Sequence, residues 1–182
     1  MAKTARNLAM AAVAAATLAN PPASMAADAA IPAATPTSHV RTTDPKVAAV
    51  MQNALERSVT FRKLVDTIDA SDSYVYVQAG TCSHSVRACF VSVTASDTHR
   101  FMRVIVDGST AETELMGLIA HELRHTIEVI AEPSVRDSAA KFHFYERAAM
   151  HATSGTHETR AAMAAGEIVR SEVRKANRGL VR

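Results

Sequence analysis

An excess of either charge is missing from this chain. Its 20 lysines and arginines stand against 18 aspartates and glutamates, a formal net charge of +2 with both signs interspersed. Aromatic residues are scarce, at 4%, and tryptophan is absent. No basic stretch is interleaved with stacking rings, which excludes the usual footprint of a nucleic-acid partner. No apolar run beyond the N-terminal region approaches the roughly 20 residues that a membrane-crossing helix needs. No internal repeat is found. The 182 residues allow one modest domain.

Cysteine is nearly absent too. Cys82 and Cys89 are the only two. An isolated pair this close, in an exported protein, reads as a disulfide closing a small loop. Two free thiols, or metal ligation together with His84, are the alternatives.

Export is read from the first residues. Lys3 and Arg6 precede the apolar run from Leu8 to Ala19, and Ser24-Met25-Ala26 places small residues where a signal peptidase cuts. Residues 1–26 are therefore expected to be a signal peptide. Residues 27–43, rich in Ala, Pro, Ser and Thr, read as a flexible linker. Residues 44–182 remain for the fold, in a periplasmic or secreted protein.

Glycine and proline are missing where a helix needs them missing. Between Ser109 and Ala131 the only glycine is Gly117, and the next proline is Pro133. Ser109-Thr110-Ala111-Glu112 has the spacing of a capping box. Met116, Ile119, Leu123, Ile127 and Ile130 recur every three or four residues on one face. His121, His125, Glu114, Glu128 and Glu132 fall on another. Within this helix stands His121-Glu122-Leu123-Arg124-His125. Two histidines four apart lie about one turn from each other and can reach one metal ion. The glutamate between them can sit beside a water on that metal and take its proton. An amphipathic helix with two surface histidines is the plainer alternative.

Elsewhere, Asp44-Pro45 is a helix start, followed by apolar Val47, Val50, Met51 and Leu55. A second helix spans about Ser58 to Ile68, with Phe61, Leu64, Val65 and Ile68 inward. Three β-rich runs follow: Tyr74–Val77, Cys89–Thr94 and Phe101–Val106. A helix is expected from about Ser134 to His151, and a last one from Thr156 to about Asn177. The order predicts an α+β domain with a short antiparallel sheet of about three strands packed on the motif helix and further helices.

Catalytic zinc takes three protein ligands and keeps one position open. Position 128 is Glu, where the pattern that turns the chain toward a third histidine needs Gly. Glu158 is the better third ligand, expected in the first turn of the last helix, where Ala161, Ala162 and Ala165 permit close packing on the motif helix. Glu128 is the alternative ligand, or a hydrogen-bond partner of His125 or of an arginine. Glu132 is farther along and solvated. His143, Tyr145, His151 and His157 are the candidates for stabilising an oxyanion.

With these motifs the chain resembles zincin-like metallopeptidases of the gluzincin type, in His121–His125 and in Glu158-Thr159-Arg160-Ala161-Ala162. It is also similar to a group of uncharacterised exported bacterial proteins. That likeness runs through Phe61–Val65, Ser71–Val77, Ile119–Val129 and the Glu158-Thr159 segment. The resemblance implies Zn²⁺ on His121, His125 and Glu158, Glu122 as general base, and a peptide or protein substrate. The chain is short for a gluzincin. A catalytically silent zinc or structural module of the cell envelope is the rival reading, which a fourth protein ligand such as His151 or His157 would favour.

Overall fold

The computed structural model describes residues 38–148, 150–151 and 157–179, apart from the side chains of His84, Ala148, Met150, His151 and His157. The expected signal-peptide segment lies outside the described residues, as do all but the last residues of the expected linker. Within that linker the chain already forms a short strand, β1 (Val40–Arg41), too brief to leave a periodic signal. Next come helices α1 (Pro45–Arg57) and α2 (Val59–Asp69). Asp44 caps α1 by accepting from the Val47 N–H at 2.9 Å. Ser58 caps α2 by accepting from the Phe61 N–H.

Strands β2 (Ser73–Ala79), β3 (Ala88–Ala95) and β4 (Arg100–Val106) match the three β-rich runs. The sheet is mixed, however, and four-stranded, in the order β1-β2-β4-β3. β2 runs parallel to both β1 and β4, and only β3 is antiparallel. The reason lies in the cysteine loop. It carries the chain from β2 past the end of β4, so that β3 pairs on the far side and β4 returns between them. The Cys82–Cys89 disulfide closes that crossing. Hydrogen bonds from the Gly80 N–H to the Val106 carbonyl and from the Asp107 N–H to the Arg87 carbonyl seat it against β4.

Alternation gives the sheet one inner face. Val75 and Val77 of β2 and Met102, Val104 and Val106 of β4 are buried against the helices, while Phe101 and Arg103 face outward. Across this inner face lies α3 (Glu112–Ile130), which contacts β2, β3 and β4 as well as α1 and α2. Met116, Ile119 and Leu123 are fully buried in the core, and Ile127 and Ile130 partly so. The expected capping box does not form. Ala111 occupies the cap position without a side-chain bond, the Ser109 hydroxyl turns back to Asp107, and Glu112 accepts from Asn53 of α1. Cross-helix partners outcompete the local cap here. The other end of α3 is closed by Arg100 of β4, buried to 4% exposure. Its guanidinium donates to the carbonyls of Val129, Ile130 and Glu132 and to the Asp72 carboxylate. The Val129 and Glu132 carbonyls also take the N–H groups of Glu132 and Val135. The guanidinium thus binds the last turn of α3 to the chain that follows it, and a cation there suits the helix dipole.

Helix α4 (Ser138–Ala148) is shorter than expected and lies along β3. A two-stranded ribbon, β5 (Met150–His151) with β6 (His157–Glu158), precedes the last helix α5 (Arg160–Gly179). Glu158 is thus in extended chain just before α5, not in its first turn. Thr159 is the cap, accepting from the Ala162 N–H at 3.1 Å. Helix α5 covers α3 and reaches α1 and α2. There Glu172 accepts from the Thr60 N–H and hydroxyl and from the Ser58 hydroxyl, an anion set at the N-terminus of α2. The α+β architecture stands, with helices and sheet sharing one core.

Candidate metal centre

Helical spacing puts His121 and His125 on one face of α3, and their Nε2 atoms lie 3.1 Å apart. What fixes their third companion is the close approach of two helices. A Cβ placed on Gly166 of α5 would come within 2.9 Å of the Gly117 carbonyl oxygen of α3 and 3.3 Å of the His121 Cβ. Small residues on α5, with Ala162 and Ala165 buried beside Gly166, let the two backbones meet. The start of α5 is therefore drawn against the histidine face. Glu158, just ahead of that start, brings its Oε2 to 3.1 Å from His121 Nε2.

A second carboxylate orders the arrangement. Glu128 Oε2 lies 3.1 Å from His125 Nδ1, and Glu128 Oε1 accepts from the Thr159 hydroxyl at 2.7 Å. Donation from Nδ1 to a carboxylate leaves the Nε2 lone pair of His125 free to face the site. Thr159 follows Glu158 directly, so Glu128 positions His125 and the Glu158 segment together. Tyr145 of α4 completes this layer. Its hydroxyl donates to the His125 carbonyl at 2.8 Å and also reaches Glu128 at 3.5 Å. The phenol pKa is pushed up, first by burial and then by the Glu128 and Glu122 charges, so the group remains a donor.

The ligand atoms of His121, His125 and Glu158 all lie within 4.8 Å of one another. The two 3.1 Å separations are close to the edge, about 3.3 Å, of a tetrahedron drawn with bonds of about 2.0–2.1 Å. Glu158 Oε2 is buried and accepts no hydrogen bond of proper direction despite its approach to His121. Two imidazole nitrogens and a carboxylate oxygen facing one another form a donor set that suits zinc. Burial disfavours the charged His121 ring, but the contact with Glu158 and the charges of Glu122 and Glu158 outweigh it, and its pKa is raised. The Glu158 carboxyl is held below the usual range, chiefly by the same His121 ring.

Glu122 is 5% exposed. Burial raises its pKa, the nearby His125 and His121 lower it in part, and the Phe90 backbone N–H bonds its carboxyl. Glu122 thus stands between the histidines of α3 and the edge strand β3. All four side chains open on a cavity of about 390 Å³, walled by the disulfide loop, β3 and α4.

The other candidates separate. Tyr145 lines this cavity, but with its hydroxyl engaged by His125 and Glu128. His143 is exposed, packs beside Phe142, and does not line the cavity. His151 and His157 are described only as paired backbone. Glu132 caps the turn at Ser134, away from the histidines. Thr159, Phe90 and Lys141 were not singled out from sequence. For Lys141 a signal existed, since Ser138, Lys141 and Tyr145 recur at helical spacing and all three line the cavity. For Phe90 none existed, because it acts through its backbone.

No family model, no curated protein and no solved structure matches this chain.

Proposed function

We propose that this protein is an exported zinc-dependent peptidase of the zincin-like, gluzincin type. The observation that carries the reading is the convergence of His121 Nε2, His125 Nε2 and Glu158 Oε2 at the floor of a cavity that also receives the buried Glu122. His121, His125 and Glu158 would hold the metal. Zinc bound there supplies a Lewis acid that polarises a carbonyl and acidifies water. Glu122 accepts the proton of the attacking water and returns it to the leaving amine. Its burial favours this role, because a desolvated carboxylate binds a proton more strongly than one in water. Glu128 and Tyr145 hold His125 in place.

The disulfide supports export, since such bonds persist in oxidising compartments. Among the described residues no helix is long and apolar enough to cross a membrane. Among the described residues three protein donors face the cavity, the arrangement that leaves a metal position open for substrate and water. The side chains of His151 and His157 lie outside the described residues.

The test begins with zinc content. Purified wild type is expected to carry about one zinc per chain, the usual number for one such motif. His121→Ala and His125→Ala are expected to carry none, and elemental analysis showing unchanged zinc in both would remove the metal from the site. Glu122→Gln is expected to keep fold and zinc and to lose about 10²–10⁴-fold in turnover of a mixed peptide library, since an amide cannot accept the water's proton. Equal turnover by the two proteins at matched zinc would end the general-base role. Zinc without turnover in wild type would leave the silent module as the better reading.

A further inference from the structure

Lys141 is the cation of this cavity, and nothing in the proposed mechanism uses it. Its ammonium donates to the Phe90 carbonyl at 2.6 Å and the Val91 carbonyl at 2.8 Å, and lies 4.6 Å from the centre of the Phe90 ring. An ammonium has three donors, and these two carbonyls are its only hydrogen-bond partners among the described residues. It forms no ion pair with a described carboxylate. Burial holds its pKa down to about 8, with only the charge of Glu122 opposing. A cation in an apolar wall, held by neutral carbonyls, has affinity to spare for an anion.

The position is as informative as the charge. Phe90 accepts from Lys141 on its carbonyl, and its backbone N–H acts on the Glu122 carboxyl, helping to lower its pKa. Glu122 and Lys141 thus line the same stretch of the cavity wall, beside Phe90 of the edge strand. A group bound at Lys141 lies along the cavity wall next to the bond that Glu122 addresses. The apolar side chains around it, Val86, Phe90, Val91 and Phe142, suit an apolar residue carried next to that group.

We propose that Lys141 is the specificity-determining residue of this site and binds a carboxylate of the substrate. That carboxylate is either the free α-carboxylate at a peptide C-terminus or an acidic side chain near the scissile bond. The substrate class rests on the peptidase reading, but the test needs neither zinc nor turnover.

Three dansylated dipeptides serve as probes: dansyl-Ala-Phe as the free acid, dansyl-Ala-Phe amide, and dansyl-Glu-Phe amide. Fluorescence anisotropy gives their affinity for the full-length, metal-free protein as wild type, Lys141→Gln and Lys141→Arg. Glutamine keeps a donor for the strand carbonyls without the charge, and arginine keeps the charge. Wild type is expected to bind at least one carboxylate probe about tenfold more tightly than the uncharged amide, the size of one charge-assisted hydrogen bond. Which probe gains identifies the source of the carboxylate. Lys141→Gln is expected to lose the preference and Lys141→Arg to retain it. Equal binding of all three probes by wild type overturns the proposal, even if Lys141→Gln fails to fold. So does an undiminished preference in a folded Lys141→Gln. Failure of the peptidase reading shows elsewhere, in zinc content and turnover. A carboxylate preference in a protein without zinc would sink that reading alone. A zinc-bearing, peptide-cleaving protein without the preference would sink only the role of Lys141.

Discussion

Glu128 receives His125, Thr159 and Tyr145 on its two oxygens and has Arg124 3.8 Å away. Burial works against its charge, but the His125 and Thr159 contacts outweigh this and hold its pKa below the usual range. A carboxylate so occupied acts by orienting its neighbours, whereas Glu158 meets only the His121 ring on the oxygen that faces the site. The two glutamates should therefore answer differently to removal. Glu128→Ala is expected to weaken zinc binding by about 10–100-fold, as loss of a partner behind a metal ligand does. Glu158→Ala should weaken it further, because a bond to the metal goes. Competition with a chelator of known affinity ranks the two, and the reverse order would make Glu128 the ligand.

Two devices position whole elements. The first is the glycine contact between α3 and α5. A Cβ on Gly166 would press on the Gly117 carbonyl, which is backbone and cannot yield. A Cβ on Gly117 would instead come within 2.5 Å of the Arg170 Cγ. That side chain must change its χ1 rotamer and lose its partly exposed pairs with Glu114 and Glu167, while no backbone atom stands in the way. Both changes gain up to about 1 kcal/mol of helix propensity. Overpacking typically costs about 1–3 kcal/mol, and it falls mainly on Gly166→Ala. Urea denaturation should find Gly166→Ala the less stable of the two. That variant alone should also bind zinc more weakly, since Glu158 rides on the start of α5. Equal effects would mean that this contact does not set the ligand's position. The second device is Arg100. Replacing it by Gln leaves carbonyls at the end of α3 and the Asp72 carboxylate short of their partner. A loss of about 2–4 kcal/mol is expected. Lysine should not rescue it, because it lacks the fork that reaches several acceptors at once. A Lys variant as stable as wild type would contradict this account.

For the molecule as a whole, the disulfide matters through where its loop lies. The seven-residue separation of Cys82 and Cys89 closes a short loop, and the chain-entropy account gives about 2–3 kcal/mol for a loop of that size. The same loop carries the chain past β4 and walls the cavity. Replacing both cysteines by serine is therefore expected to lower stability by that amount and to weaken peptide-probe binding, while zinc content stays at wild-type level. Chemical denaturation, anisotropy and elemental analysis read these separately. Loss of zinc in a folded double variant would show that the loop supports the metal centre itself. Titration of the unreduced, unfolded wild type should find no free thiol.

Much of the architecture was legible in residue order, because it rests on short-range chemistry. The Asp44-Pro45 start, the apolar periods of α1, α2 and α3 and the alternation in β2 and β4 each depend on neighbours a few positions away. So does the His121–His125 pair, which any helix would bring to one face. The spacing of the two cysteines likewise pointed to their bond. Tertiary structure decided the rest. Whether Ser109 or Asn53 would meet Glu112, whether β2 would face β3 or β4, and where Glu158 would stand depend on partners many residues away. Helix-start propensity alone drew the last helix back across Glu158, when Thr159 is the cap and Glu158 is strand. Gly166 against Gly117, Glu128 between His125 and Thr159, and Lys141 on the carbonyls of Phe90 and Val91 are meetings of surfaces. A linear pattern records which residues can serve such a site, whereas packing fixes which of them meet, because the energy that selects among them comes from burial and close approach across the fold.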